Sequence, residues 1–196
     1  MNLSNYDILN LMKSSPYFIG VYSRDQLPPP PQQQCQLPVT LIVNTDTSNL
    51  DGVHWVTIFI NKCRRGEYFD SFAQYPPNQI AIWLNRYTIN WNCILQPSHQ
   101  QAIQHPFTNV CGSYAVYFAR QRPLVNSVND ILHCFDPSHR LKNDQVILSY
   151  IKTISSYMCV FYLSYKSHSV FRERRESITG YTSSIFLTPV KTTLPV

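Results

Sequence analysis

The chain reads as one folded domain of mixed helices and strands followed by a tail, and three observations predict it. The runs Val39-Thr40-Leu41-Ile42-Val43-Asn44 and His54 to Ile60 are β-branched, aromatic and continuous, as strands covered on both faces would be. A loop of hairpin length, Asn61-Lys62-Cys63-Arg64-Arg65-Gly66, follows the second run, so Glu67 to Asp70 should return antiparallel beside it. Finally, Gln104-His105-Pro106-Phe107-Thr108-Asn109-Val110-Cys111-Gly112-Ser113 opens directly into the apolar run Tyr114-Ala115-Val116-Tyr117-Phe118-Ala119, a loop that feeds a core helix.

The remaining elements follow in chain order. Ser4 with Asp7, then Ile8, Leu9, Leu11 and Met12, predicts a capped amphipathic helix that stops before Pro16. Pro16 to Tyr22 is aromatic and extended, and it leads into Pro28 to Gln34, a proline and glutamine run expected as a polyproline II surface loop and stiff connector. Pro77 starts a helix carrying Ile80, Ala81, Trp83, Leu84 and Tyr87, and Ile89 to Leu95 is the next strand. Gln96 to Asn109 is a polar loop. After the Cys111 helix, Arg122-Pro123 breaks the run, Asn126 to Phe135 is a short helix, and Asn143 caps a last helix with Ile147, Leu148, Ile151 and Ile154 on one face.

Composition narrows the class. A hydrophobic share of 44% with 13% aromatic residues excludes a disordered chain, and 14 prolines against 5 glycines predict rigid loops. The formal charge of +5 is uneven: residues 1–157 carry 11 basic and 9 acidic side chains and the remainder 5 and 2, so the core is near neutral. The six cysteines, Cys35, Cys63, Cys93, Cys111, Cys134 and Cys159, contain no C-x-x-C pair, and Met1-Asn2-Leu3-Ser4 does not open a secretory signal. The expectation is a soluble intracellular protein with reduced thiols and no membrane span.

The chemistry gathers at Cys111. A cysteine at a helix N-terminus meets free N–H groups that favour an anion, and such placement lowers a thiol pKa from about 8.5 to roughly 3.5–7.5. Gly112 should let a substrate approach the backbone, and Gln104, seven residues upstream, can offer its amide N–H to an oxyanion. Gly52-Val53-His54-Trp55 supplies a base, and Tyr68-Phe69-Asp70-Ser71 a carboxylate to orient it. Hairpin pairing would put His54, at the start of one strand, and Asp70, at the end of its neighbour, at the same edge of the sheet. Each residue alone is ordinary packing. What singles them out is that every group thiol catalysis needs is present with its local motif.

These residues resemble the adenovirus-type cysteine protease (adenain) family, also carried by Maverick or Polinton DNA transposons and related DNA viruses. The resemblance spans most of residues 4–157. It rests on Pro16 to Tyr22, Ile42-Val43-Asn44-Thr45, Gly52 to Trp55, Phe69-Asp70-Ser71-Phe72, Gln104 to Gly112 and the Pro137 to Tyr150 region. It implies an α+β fold of the adenain/SUMO-protease type, a central mixed sheet packed by helices with the nucleophile at a helix N-terminus. It assigns His54 as general base, Asp70 as its orienting acid, Gln104 as oxyanion donor and Cys111 as nucleophile. Asp70 replaces the glutamate usual in the adenovirus enzyme and matches the SUMO-deconjugating proteases. The implied activity is cleavage of viral or transposon-encoded capsid precursors at Gly-containing sites, with Trp55 walling a narrow substrate slot beside Gly112. The alternatives are deconjugation of SUMO or ubiquitin-like proteins, or a silent binding domain.

The resemblance also implies partners. Cys93 lies eighteen residues before Cys111, the offset of the adenovirus thiol that forms a disulfide with an activating peptide, although a strand cysteine is also an ordinary core residue. DNA is a second activator in adenovirus, and Lys62, Arg64 and Arg65 could touch it. No cofactor is required for the chemistry, and His99, His105, His133, His139 and Cys134 match no regular zinc spacing. The expected protein is a monomer in the host nucleus or virion, with a protease domain over residues 1–157. Residues 158–196, atypical of the family, form a C-terminal extension without clear periodicity. Its basic cluster, Lys166, Arg172, Arg174 and Arg175, reads as a solvated face.

Overall fold

A computed structural model describes residues 2–30, 37–97 and 101–156. The extension from 158 onward, Cys35, His99 and most of the glutamine run lie outside the described residues. Helix α1 (Asn5–Met12) starts at a capping box: Ser4 Oγ accepts from the Asp7 N–H, and the Asp7 carboxylate accepts from the Ser4 N–H at 2.9 Å. Five strands follow, β1 (Phe18–Ser23), β2 (Val39–Asn44), β3 (Trp55–Ile60), β4 (Arg65–Phe69) and β5 (Asn90–Cys93), with α2 (Asn78–Tyr87) between the last two. They form one sheet in the order β1-β2-β3-β4-β5. The two outer pairings are parallel and the two inner ones antiparallel, so the sheet is mixed and the domain α+β, as the resemblance implied.

Strand alternation sorts the core. Val39, Leu41 and Val43 of β2, with Val56, Ile58 and Ile60 of β3, face a layer that includes Ile80, Trp83 and Leu84 of α2. On the other face, Ile42, Trp55 and Phe59 meet α3 (Cys111–Gln121), most of whose residues are buried. Covering both faces explains why every residue of β2 and β3 is buried. Helix α3 is tied to the sheet where Thr57 Oγ1 donates to the Ala115 carbonyl at 2.9 Å and where the Phe69 and Phe118 rings stack at 4.3 Å. The last helix among the described residues, α5, covers residues 140–156, and Ile147 and Ile151 complete the packing.

Several expectations change. The hairpin turn has its left-handed residue at Arg64 (φ 58°). Gly66 instead sits inside β4, where a Cβ would come within 2.9 Å of Thr88 and 3.0 Å of Trp91. Arg64 also donates to the Tyr87 carbonyl at 2.8 Å, so its guanidinium braces the fold. The strand expected over Ile89 to Leu95 is limited to β5, a parallel edge strand. The helix expected over Asn126 to Phe135 is reduced to α4 (Asn129–Leu132), preceded by a 3-10 turn, Arg122–Leu124. Val125 is extended there, and Arg122 reaches both its carbonyl (2.9 Å) and Glu67, through Nε (2.5 Å) and Nη2 (2.7 Å), while lying over the Phe59 ring. Because both partners of this bidentate pair are nearly buried, Arg122→Ala would strand the Glu67 carboxylate. A loss of about 3–5 kcal/mol is expected, measured by urea unfolding of the two proteins.

Candidate active site

Two sequence motifs meet to place His54. Gly52 has φ 83°, and a Cβ there would lie 2.2 Å from the Asn44 Nδ2, so the backbone can pass Asn44 only as glycine. Thr45 N–H then donates to the His54 carbonyl at 2.9 Å, which fixes the entry to β3. His54 lies one residue before β3 and Asp70 one residue after β4, at the same end of the sheet, because the two strands run antiparallel with Thr57 opposite Phe69. Sixteen residues of chain thus become a 2.8 Å contact between His54 Nε2 and Asp70 Oδ1.

Asp70 is held in its turn. The same Oδ1 accepts from the Phe72 N–H at 2.7 Å, and the turn closes with Ala73 N–H on the Asp70 carbonyl at 2.9 Å, Ala73 being left-handed at φ 52°. That conformation is unfavourable for a residue with a Cβ, by about 1–2 kcal/mol. The Phe72 ring packs 5.0 Å from the imidazole. Both His54 and Asp70 are buried, so little solvent weakens their interaction.

Since Nε2 faces the carboxylate, the imidazole's other nitrogen, Nδ1, is the one left for Cys111. Nδ1 is buried and closes no hydrogen bond of full geometry, but the ring and the thiol interact and shift one another. Burial pulls the imidazole pKa down, and the Asp70 hydrogen bond, the Cys111 contact and both negative charges outweigh it, raising His54 to about 9. Burial pushes the Cys111 thiol up, and the imidazole, with the backbone N–H groups of Trp55 and Gly112 directed at the sulfur, brings it below its ordinary value. Both shifts favour the thiolate-imidazolium pair over the neutral thiol and imidazole. Turnover should rise as Cys111 loses its proton and fall as pH climbs through about 9, where His54 can no longer protonate a leaving group. A pH profile measured from 5 to 10 checks both limbs, and a flat line would contradict the pair.

Gln104 is fully buried and oriented from both sides. Ser71 Oγ donates to its Oε1 at 2.7 Å, and its Nε2 donates to the Thr108 carbonyl at 2.7 Å. The Ser71 carbonyl also accepts from the N–H groups of Ile103 (3.0 Å) and Gln104 (3.1 Å). Ser71 thus couples the Asp70 turn to the Gln104 loop, a function that the Asp-Ser pair in the motif did not disclose by itself.

Two expectations need different physical reasons. Gly112 is buried, and a Cβ on it would meet Leu3 and Trp55 at 3.1 Å, so the glycine admits the protein's own side chains rather than opening its backbone to substrate. Trp55 is 6% exposed and its indole N–H donates to the Leu3 carbonyl at 3.1 Å; it borders a cleft of about 470 Å³ with Tyr6, Asn44 and Gly52. Cys93 ends β5 opposite Tyr68, half-buried, and burial together with the Asp70 charge pushes its thiol up, away from thiolate character. His139 pairs with Asp136 at 2.8 Å, and among the described residues no three His, Cys, Asp or Glu side chains are grouped to hold a metal ion. No described helix is long and apolar enough to cross a membrane.

A cysteine at a helix N-terminus, an imidazole beside it and a buried carboxylate behind the imidazole are the components of a thiol-nucleophile hydrolase site. Over 93 residues the chain is 29% identical to the SUMO-1 cysteine protease of African swine fever virus (isolate Tick/South Africa/Pretoriuskop Pr4/1996) and equally to the cysteine protease of strain Badajoz 1971 Vero-adapted. The alignments cover 41% of this chain and 32% of those proteins, so the match spans about a third of the relatives' length. No family model matches. Among solved structures, the African swine fever virus protease aligns with a TM-score of 0.49 at 18% identity, over 67% of this chain and 61% of that one. The central domain of an uncharacterized Legionella pneumophila protein aligns with a TM-score of 0.42 at 11% identity, over 79% of this chain and 98% of that one.

Proposed function

We propose that the protein is a cysteine endopeptidase. The observation that carries this reading is the buried array in which Asp70 Oδ1 lies 2.8 Å from His54 Nε2 while Cys111, at the start of α3, interacts with the same ring and receives the Trp55 and Gly112 N–H groups. In the proposed reaction the Cys111 thiolate adds to a peptide carbonyl, the second N–H of Gln104 steadies the oxyanion, and His54 passes its proton to the departing amine. Water, deprotonated by His54, then releases the acyl group. The substrates proposed are precursor proteins cut at Gly-containing sites, viral or transposon capsid precursors in particular, reached in a nucleus or virion. The roles of Cys93 toward an activating peptide and of Lys62 and Arg65 toward DNA belong to the same proposal.

A second reading, removal of SUMO or a ubiquitin-like protein, is favoured by Asp70 and by the relative whose name carries SUMO-1. Incubation with peptides containing Gly-Gly or Gly-X-Gly, beside a ubiquitin-like vinyl sulfone, separates the two. Peptide cleavage with the adduct mapped to Cys111 supports the endopeptidase, capture of the ubiquitin-like probe without peptide cleavage supports the second reading, and inertness toward both overturns each.

A further inference from the structure

Gln104 can serve an oxyanion only if the loop bearing it is held to within a fraction of an ångström, and beyond its bonds to Ser71 this loop is held by a residue remote from the dyad. Asp144, in the first turns of α5, is 4% exposed. Its Oδ2 accepts from Thr108 Oγ1 at 2.7 Å, its Oδ1 lies 2.9 Å from the Tyr114 hydroxyl, and the His105 N–H points at Oδ1 from 3.5 Å. Asn143 beside it donates through Nδ2 to the carbonyls of Ile103 (2.9 Å) and Asp136 (2.8 Å) and accepts from the Asp136 N–H at 3.1 Å. Asn143 is therefore an internal bridge rather than the helix cap its sequence position suggested.

These contacts bracket Gln104 on both sides, at Ile103, His105 and Thr108. The Thr108 carbonyl that Asp144 secures through its own residue's hydroxyl is the acceptor of the Gln104 amide. A buried carboxylate costs several kcal/mol in desolvation unless well supplied with donors, and an apolar side chain would pack the same space without that cost. What the carboxylate adds is direction: charge-assisted bonds to two hydroxyls, one on the loop and one on α3, which set the loop's distance from the helix that carries Cys111.

We propose that Asp144 is a positioning residue that sets the Gln104 amide relative to Cys111, acting through Thr108 and Tyr114. The proposal rests on the endopeptidase reading for its consequence in catalysis, though not for the clamp itself.

In the full chain, Asp144→Ala should lower kcat on the cleaved peptide at least tenfold with KM changed by less than twofold. The rate at which iodoacetamide alkylates Cys111 should stay within twofold, because the thiolate pair is built by β3, the Asp70 turn and α3. Thr108→Val and Tyr114→Phe, which each delete one donor and little volume, should lower kcat several-fold, and Asp144→Asn should recover part of the loss. In a Gln104→Ala background, Asp144→Ala should add less than twofold, since its effect passes through that amide. Unchanged kcat in folded Asp144→Ala, or a full multiplicative effect on top of Gln104→Ala, would overturn the proposal. If Asp144→Ala does not fold, Thr108→Val and Tyr114→Phe decide by the same two criteria. If the wild-type protein cleaves no peptide, the endopeptidase reading fails by itself. Amide hydrogen exchange of residues 103–110 then decides the clamp: faster exchange in Thr108→Val without change in β3 supports it, and unchanged exchange overturns it.

Discussion

Cys111→Ala is expected to remove peptide cleavage to the limit of detection, a fall in kcat on the order of 10⁴-fold or more. The sulfur is the atom on which the acyl group must rest, and the exposed thiols at Cys63 and Cys134 have no buried imidazole-carboxylate pair behind them. Fold should survive. Cys111 packs among Leu3, Trp55 and Val116, and alanine removes one sulfur atom from a crowded site at the helix start, where alanine is a favourable residue. Activity assays must therefore be paired with an unfolding curve. A folded, inactive variant locates the chemistry, whereas a folded variant that still cleaves would show that another group carries it.

Asp70→Asn is expected to have the second largest effect, about 10²–10⁴-fold in kcat. The carboxylate's Oδ1 serves two donors, His54 Nε2 and the Phe72 N–H, so it fixes the imidazole tautomer with its proton on Nε2 and leaves Nδ1 toward the sulfur. An asparagine has two choices, both poor. With its oxygen kept between the two donors, the tautomer survives but the negative charge that helps hold His54 near 9 is gone. With its nitrogen turned that way, two N–H groups oppose each other at Phe72 and the imidazole proton is driven to Nδ1. Either way the imidazolium weakens, the thiol pKa rises, and alkylation at pH 7 should slow together with turnover. A kcat loss with undiminished alkylation would mean that Asp70 acts on substrate rather than through His54.

Much of this arrangement was legible in the sequence because its signals are local. The uninterrupted runs at Val39 to Asn44 and Trp55 to Ile60 announced strands covered on both faces, and the short loop after Ile60 fixed their neighbour's direction, which by itself carries Asp70 toward His54. The capping box at Ser4 and the apolar run after Cys111 were equally plain. What could not be read depends on contacts between segments far apart in the chain. Nothing in Asn90-Trp91-Asn92-Cys93 says that it pairs parallel to β4 at an edge. Gly112 and Gly66 look permissive in sequence, yet each is required by neighbours remote from it, Leu3 and Trp55 for one, Thr88 and Trp91 for the other. Asn143 and Asp144 looked like the start of a helix because their partners, Ile103, Thr108 and Tyr114, lie 30 or more residues away. Arg122 ended a helix in sequence terms, while its pairing with Glu67 lies 55 residues back.

A buried imidazole with a carboxylate behind it brings the Cys111 thiol below its ordinary pKa. The direct measurement is competitive alkylation of the native protein with limiting iodoacetamide at pH 6–7, with each modified cysteine quantified by mass spectrometry. Cys111 should be labelled first despite its burial, ahead of the exposed Cys63 and Cys134 and well ahead of Cys93, and Asp70→Asn or His54→Ala should erase that lead. Labelling that instead follows exposure, with Cys63 and Cys134 modified while Cys111 stays intact, would contradict it.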